Sequence, residues 1–268
     1  EMQRYVNIAY ATLVYAFLYF PIVILIVFSF NDSTYSLAWH GFTWRWYEKL
    51  ADNDVLIEVA LNSVTIGVLA ASLATVLGTL GAVALYHYDF LGKRLVNGLV
   101  FVLIMSPEIV MGLSLLTLFV TVQKVAAFIS ENLDASLGFT SVLLSHVTFC
   151  TPFVIVTVLS RINGFDRHLI EAAKDLGASE FYTFRKVILP LLMPAVVAGW
   201  LLSFTLSMDD VIITQFVSGP DYELLPLRIY SMVKRGITPE VNALSAIMFV
   251  ATLVIVAIAQ ALLKENKQ

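Results

Sequence analysis

Charge is scarce in this chain. Only 13% of its 268 residues are Asp, Glu, Lys or Arg, against 59% hydrophobic, whereas soluble domains carry nearer about a quarter charged residues. So much apolar surface must face lipid rather than water. Cysteine is almost missing too. Cys150 stands alone, so no intrachain disulfide can form and cysteine usage says nothing about compartment. It follows Phe149 in an apolar run and reads as a buried, inert thiol. His40, His87, His146 and His168 show no metal-ligand spacing. The chain also lacks G-x-S-x-G, H-E-x-x-H and G-x-x-x-x-G-K-[ST]. Gly92-Lys93 has neither the earlier glycine nor the following Ser or Thr of a phosphate loop. These absences argue against an enzyme. We expect no catalytic residue, no bound metal or cofactor, and no nucleic-acid partner.

What is present is a series of long apolar runs, each near the roughly 20 residues that cross a bilayer. Six are expected, at about 10–30, 60–86, 97–122, 139–160, 191–208 and 241–263. All should be helices, because lipid leaves an unpaired backbone amide no partner. The first could be mistaken for a signal peptide, but it lacks a small-residue cleavage site and continues through Pro21, so we read it as a retained helix. On the second, Gly67, Ala70, Ala71, Ala74, Gly78, Gly81 and Ala82 form a small-residue stripe. Close helix approach and ordinary membrane-helix composition explain it equally well. With no repeats, low-complexity tracts or appended soluble segment, residues 1–268 read as a single all-α membrane domain.

Basic residues orient the spans. With the N-terminus inside, ten lie inside: Arg4, Lys93, Arg94, Arg161, Arg167, Lys174, Arg185, Lys186, Lys264 and Lys267. Six lie outside: Arg45, Lys49, Lys124, Arg228, Lys234 and Arg235. The excess places both termini in the cytoplasm. The outer loop from Asn31 to Val59 then carries Trp39, Trp44 and Trp46, as an interfacial aromatic belt would.

One inside segment is out of proportion. Residues 161–190 separate the fourth and fifth spans, and loops of this length usually carry structure or function of their own. Asp166 is placed to cap a helix that Gly177 ends, and Ser179 a second helix that stops before Pro190. Leu169, Ala172, Ala173 and Leu176 fall on one side of the first helix, while Glu171 can meet a basic partner. An apolar helix face fitting a groove is a recurring docking mode. From these residues alone, docking and a self-packed loop both stay open.

The same residues carry a resemblance. Glu171-Ala172-Ala173, then Gly177, Val187 and Leu189-Pro190, resemble the EAA signature of binding-protein-dependent ABC importer permeases, with Val187 where that family commonly has Ile. The likeness continues through Met105–Met111, Ser145–Cys150, Glu171–Glu180 and Ser203–Asp210, which are similar to the polyamine branch of the family. The putrescine-only permeases share versions of several of these stretches. The resemblance implies a type I (MetI-like) permease fold in which the hairpin is a coupling helix docked on an ATPase. It further implies a paralogous second permease, two ATPase subunits that bind ATP and Mg, and a periplasmic polyamine-binding protein.

Carboxylates at membrane depth point to a cation independently. Glu108 lies well inside the third expected run, with no Lys, Arg or His between Leu95 and Gln123 to pair with it. An ionised carboxylate there is costly unless paired or hydrated. Pro107 precedes it and removes a backbone donor, and a kinked helix with a carboxylate at the break is a common way to build a transporter site. A protonated, hydrogen-bonded structural Glu108 is the competing reading. Asp209-Asp210 interrupt apolar sequence at the end of the fifth run. Neighbouring helical residues point about 100° apart, so one acid would face a pathway while the other caps the next segment. The outer segments hold Asp32, Glu48, Asp52, Asp54, Glu58, Glu131, Asp134, Asp209, Asp210, Asp221, Glu223 and Glu240. Those twelve acids against six bases give about −6, a vestibule that concentrates cations. Trp46 and Tyr222 offer aromatic faces for a polyamine, with interfacial anchoring the alternative for Trp46.

Three classes of function survive. They are an ABC importer permease, for polyamines or for another small cationic or polar substrate, a proton-coupled secondary transporter, and an uncoupled channel or assembly subunit. A secondary transporter has no need of a docking hairpin at residues 171–177, and six spans without a visible inverted repeat weaken that reading further.

Overall fold

The computed structural model describes residues 2–33, 38–129, 136–164, 168–236 and 238–265. Asp166 and Arg167, expected at the start of the hairpin, lie outside the described residues, as do Glu131, Asp134 and Lys267. The elements, in order, are α1 (Met2–Phe28), α2 (Arg45–Ala51), α3 (Asp54–His87), α4 (Lys93–Met105), α5 (Glu108–Ile129) and α6 (Phe139–Ile162). They continue with α7 (His168–Asp175), α8 (Glu180–Thr183), a π-helical turn (Phe184–Ile188), α9 (Leu189–Asp209), α10 (Ile212–Val217), α11 (Leu225–Arg235) and α12 (Pro239–Glu265). Among the described residues the only strand-like pairing is an isolated bridge between Asn31 and Phe42.

Among the described residues, six helical stretches are long and apolar enough to cross a membrane: Gln3–Phe28, Asp54–His87, Glu108–Ile129, Phe139–Ile162, Glu180–Asp209 and Pro239–Ile258. They correspond to the six expected runs, with two corrections. The third run is not one helix, because Ser106 adopts an extended conformation (φ −69°, ψ 134°) and separates α4 from α5. The cause is local: the ring of Pro107 crowds the preceding residue out of the helical region. The second correction concerns the hairpin, whose second arm does not stop before Pro190. It runs from α8 through the π turn into α9, with Pro190 in the first turn of α9. Pro190 donates no backbone bond within that stretch, and the π turn just before it is where the bonding pattern shifts. The result is a continuous rod of 30 residues, about 45 Å long at ~1.5 Å per residue.

The chain forms two compact units, residues 1–59 with 228–255 and residues 60–227 with 256–268. In the first, the loop after α1 is built around the fully buried Asn31. Its Nδ2 donates to Ala38 O (2.9 Å) and its Oδ1 accepts from His40 N (2.8 Å). Phe30 stacks on Phe42 and meets Trp44 and Tyr47 with ring centroids 5.0–5.1 Å apart. Lys49 pairs with Glu240 at 2.8 Å, joining α2 to α12.

The second unit is organised by α6. Val142, His146, Cys150, Val154 and Val158 recur every fourth residue and are all fully buried, a continuous ridge along one side of the helix. The Cys150 thiol is buried, as expected. Small residues let neighbours reach this ridge. A Cβ on Gly78 of α3 would lie 2.6 Å from the Val154 Cβ, and one on Gly199 of α9 would lie 3.2 Å from its Cγ1. The small-residue stripe of α3 is therefore a packing surface, with Ala70, Ala71, Ala74 and Ala82 wholly buried. Replacing Gly78 with Leu should separate α3 from α6 and destabilise the chain by about 1–3 kcal/mol. Thermal denaturation of purified protein in detergent checks this. Gly98→Leu, where a Cβ would meet nothing within 4 Å, should leave the midpoint unchanged.

Candidate functional site

Two helix breaks meet in one place. Glu108 opens α5 just after the Ser106–Pro107 break, while Asp209 closes α9 just before the chain turns into α10. Both line a cavity of about 280 Å³, together with Asp210, Met111, Phe149, Phe153 and Leu206. Three of the carboxylates singled out in sequence thus share one chamber whose remaining walls are largely apolar.

Their surroundings differ, and that separates their roles. Glu108 is exposed in the first turn of α5, where the free N–H groups and positive end of the helix dipole favour a negative charge, by about 1 kcal/mol in exposed settings. Asp209 is also exposed but stands at the C-terminal end of α9. Unpaired carbonyls and the negative dipole end there add to its own charge, so that end of the helix favours positive charge nearby. Asp210 is 8% exposed and is fully engaged. Its Oδ1 accepts from Ile213 N (3.1 Å), and its Oδ2 accepts from Thr214 N (2.8 Å) and Thr214 Oγ1 (2.7 Å). It caps α10.

A further participant was not expected. His146 has no metal-ligand spacing in the sequence, yet it is wholly buried beside Asp210. Its Nδ1 lies 2.7 Å from Ser207 Oγ, and its Nε2 lies 3.0 Å from Thr214 Oγ1 and 3.5 Å from Asp210 Oδ2. A polar side chain on a helix that otherwise reads as apolar was the available signal. Its partners come from positions 207, 210 and 214, which no local pattern links to residue 146.

The two aromatic candidates have other surroundings. Tyr222 does not line it. The ring is half-buried between α10 and α11 and packs edge-on against Phe139, centroids 5.8 Å apart, and burial raises its phenol pKa. Trp46 belongs to the other unit and is buried, with its Nε1 donating to Asn31 O at 2.8 Å. Its ring already carries the Arg45 guanidinium at 4.7 Å and the Lys49 ammonium at 5.9 Å.

The hairpin breaks at Gly177 and restarts at Ser179 as expected. Gly177 has φ +81°, and Ala178 N donates back to Ala173 O at 3.1 Å, closing α7. Ser179 caps α8 by accepting from Tyr182 N at 3.3 Å. Ile170 packs against the buried core and Ala173 is half-buried, so one side of α7 rests on the protein's own helices. The other side is uncovered: Leu169 is 48% and Leu176 89% exposed, and Glu171 and Ala172 are exposed as well. Leu189 and Pro190 lie beyond the π turn, in the first turn of α9. Tyr88, just after α3, donates to Glu180 Oε2 at 3.2 Å, and that bond holds its phenol above the usual range.

Comparison with known proteins fits this geometry. The family described as binding-protein-dependent transport system inner membrane component matches residues 63–264. The spermidine/putrescine transport system permease protein PotC of Haemophilus influenzae is 56% identical over 258 residues, covering 96% of each chain. PotC of Escherichia coli K12 is 55% identical, covering 96% of this chain and 93% of its own length. The putrescine transport system permease protein PotI of the same strain is 40% identical over 87% of this chain and 82% of its own. Among solved structures, a bacterial ABC transporter that imports alginate superimposes with a TM-score of 0.80 at 16% identity, covering 99% of this chain and 96% of that one. The MetNI methionine ABC transporter gives 0.64 at 17% identity, covering 80% and 96%. At such identities these two establish the fold alone, that of type I ABC importer permeases. The chain belongs to the family of binding-protein-dependent transport system inner membrane components.

Proposed function

We propose that this chain imports polyamines, spermidine or putrescine, as one permease subunit of an ATP-driven transporter. The observation that carries the reading is the shared chamber of Glu108 and Asp209, two exposed carboxylates within apolar walls. A polyamine has the matching pattern, ammonium groups separated by methylenes. The 55–56% identity to the two PotC permeases supports the same substrate class. Family membership makes the chain a multi-pass inner-membrane component whose ATPase is a separate subunit. Its proposed partners are a paralogous second permease, two ATPase subunits that bind ATP and Mg, and a periplasmic polyamine-binding protein. Residues 1–268 act as one transmembrane half with both termini cytoplasmic.

In this reading the exposed face of α7, with Glu171, Ala172, Leu169 and Leu176, docks on an ATPase subunit. Ala173 and Gly177 shape that helix, and Leu189–Pro190 join it to α9. Closure of the ATPase pair moves the hairpin, and the rod from Glu180 to Asp209 carries that motion to the Asp209 carboxylate at its far end. Opening outward admits the cation between Glu108 and Asp209, and reversal after hydrolysis releases it inside. ATP drives the cycle only through its different affinity for the two states. Asp210 acts as the cap that shapes the chamber, and Tyr222 and Trp46 as aromatic anchors on the outer side.

Substrate class is tested in vesicles reconstituted with all partners, comparing spermidine, putrescine and an inorganic cation. Polyamine uptake dependent on ATP is expected, and uptake of the inorganic ion alone would overturn the assignment. Glu108→Gln and Asp209→Asn should each raise KM for polyamine uptake about tenfold, the loss of one charge-assisted contact of ~1.5 kcal/mol, in complexes that still assemble. A KM equal to wild type in either variant would make that carboxylate structural. Gly177→Leu should leave docking of the loaded binding protein intact and abolish the ATP hydrolysis it stimulates, because a side chain at φ +81° costs about 1–2 kcal/mol and misplaces the hairpin. Full stimulated hydrolysis in that variant would remove the docking role.

A further inference from the structure

The turn that bears Asp209 has little to hold it. α10 has six residues, Ile212–Val217, far fewer than a helix needs to persist by itself. Its position therefore rests on contacts from outside. On one side Gly112 of α5 admits it: a Cβ there would lie 2.7 Å from the Phe216 ring and 3.4 Å from Ile213 Cα. On the other side α6 makes two polar contacts: Ser141 Oγ donates to Val217 O at the far end of α10 (2.6 Å), and His146 meets its first turn. Asp210 takes up the N–H groups of Ile213 and Thr214, and Thr214 Oγ1 donates its hydrogen to Asp210 Oδ2. The hydroxyl oxygen of Thr214 is then left to accept from His146 Nε2–H, at 3.0 Å. The opposite ring nitrogen, Nδ1, reaches Ser207 Oγ on α9 at 2.7 Å. One imidazole on the fully buried ridge of α6 thus bonds both sides of the Asp209–Asp210 break.

We propose that His146 is a positioning residue for the cation path: bridging Ser207 to Thr214, it fixes the turn that aims Asp209 into the chamber shared with Glu108. The imidazole touches no substrate and acts through Asp210 and Thr214. This rests on the reading of Asp209 as a substrate-path carboxylate. Motion of α9 reaches α10 through the same ring, so the chamber changes shape as a unit when the hairpin moves.

The test uses the full transporter in vesicles and separates KM from maximal rate. His146→Gln keeps a donor at the place of Nε2 and should hold the KM for spermidine within about twofold of wild type. His146→Asn keeps a hydrogen-bonding group only toward Ser207 and should raise KM about tenfold, the worth of one buried hydrogen bond. Combining His146→Asn with Thr214→Val should cost no more than the larger single effect, because both cut the same link. A wild-type KM in His146→Asn, with any loss confined to the amount of assembled complex and the maximal rate, overturns the proposal. So does full additivity in the double variant. If wild type carries no polyamine, or if Asp209→Asn has a wild-type KM, the underlying reading fails instead, and the Asp209→Asn control separates the two failures.

Discussion

In a bilayer an interrupted helix must satisfy its freed backbone groups from within the protein, since lipid offers none. The carboxylate of Asp210 meets that demand for the most consequential interruption in this chain. By accepting from the backbone of Ile213 and Thr214 it allows α9 to end and a six-residue helix to begin in apolar surroundings. Had the two helices been continuous, Asp209 would sit on the flank of one apolar rod. The break instead puts Asp209 at a helix end, where carbonyls and dipole both favour a cation. The second break, at Ser106–Pro107, presents Glu108 at the opposite kind of terminus.

The two acids are therefore not equivalent. Glu108 is held by the N-terminal dipole of α5, whereas Asp209 is aggravated by the C-terminal end of α9. An ammonium group between them gains attraction from both charges and relieves the repulsion that Asp209 suffers from its own helix. A chamber of about 280 Å³ with walls from Phe149, Phe153 and Leu206 suits methylenes next to those charges. Strong attraction at one end and weaker at the other also suits passage, which requires release as well as capture.

The proposed coupling rests on continuity. Had the hairpin ended before Pro190 there would be a loose joint between the docking face and the fifth span. The chain runs instead from Ser179 through a π turn into α9, with Pro190 just after the turn in which the bonding pattern shifts. π turns of this kind often mark functional positions. α7 keeps its apolar residues divided, with Ile170 turned into the core and Leu169 and Leu176 left bare. One side anchors the helix, and the other is uncovered.

Composition alone determined that the chain lives in lipid, and apolar run length counted its spans, because both follow from the thickness of the bilayer and the need to pair every amide. The EAA residues and Gly177 identified the hairpin, since a left-handed helix stop favours glycine locally. The break before Pro107 was legible as a kink but not as two helices, because proline restricts its predecessor without saying whether neighbours restore the rod. Which of Asp209 and Asp210 caps and which faces the chamber required tertiary structure, as adjacent identical residues carry no local difference. His146 was invisible in sequence for the same reason. Its meaning comes from Ser207, Asp210 and Thr214, brought to it only when α9 and α10 pack on the buried ridge of α6.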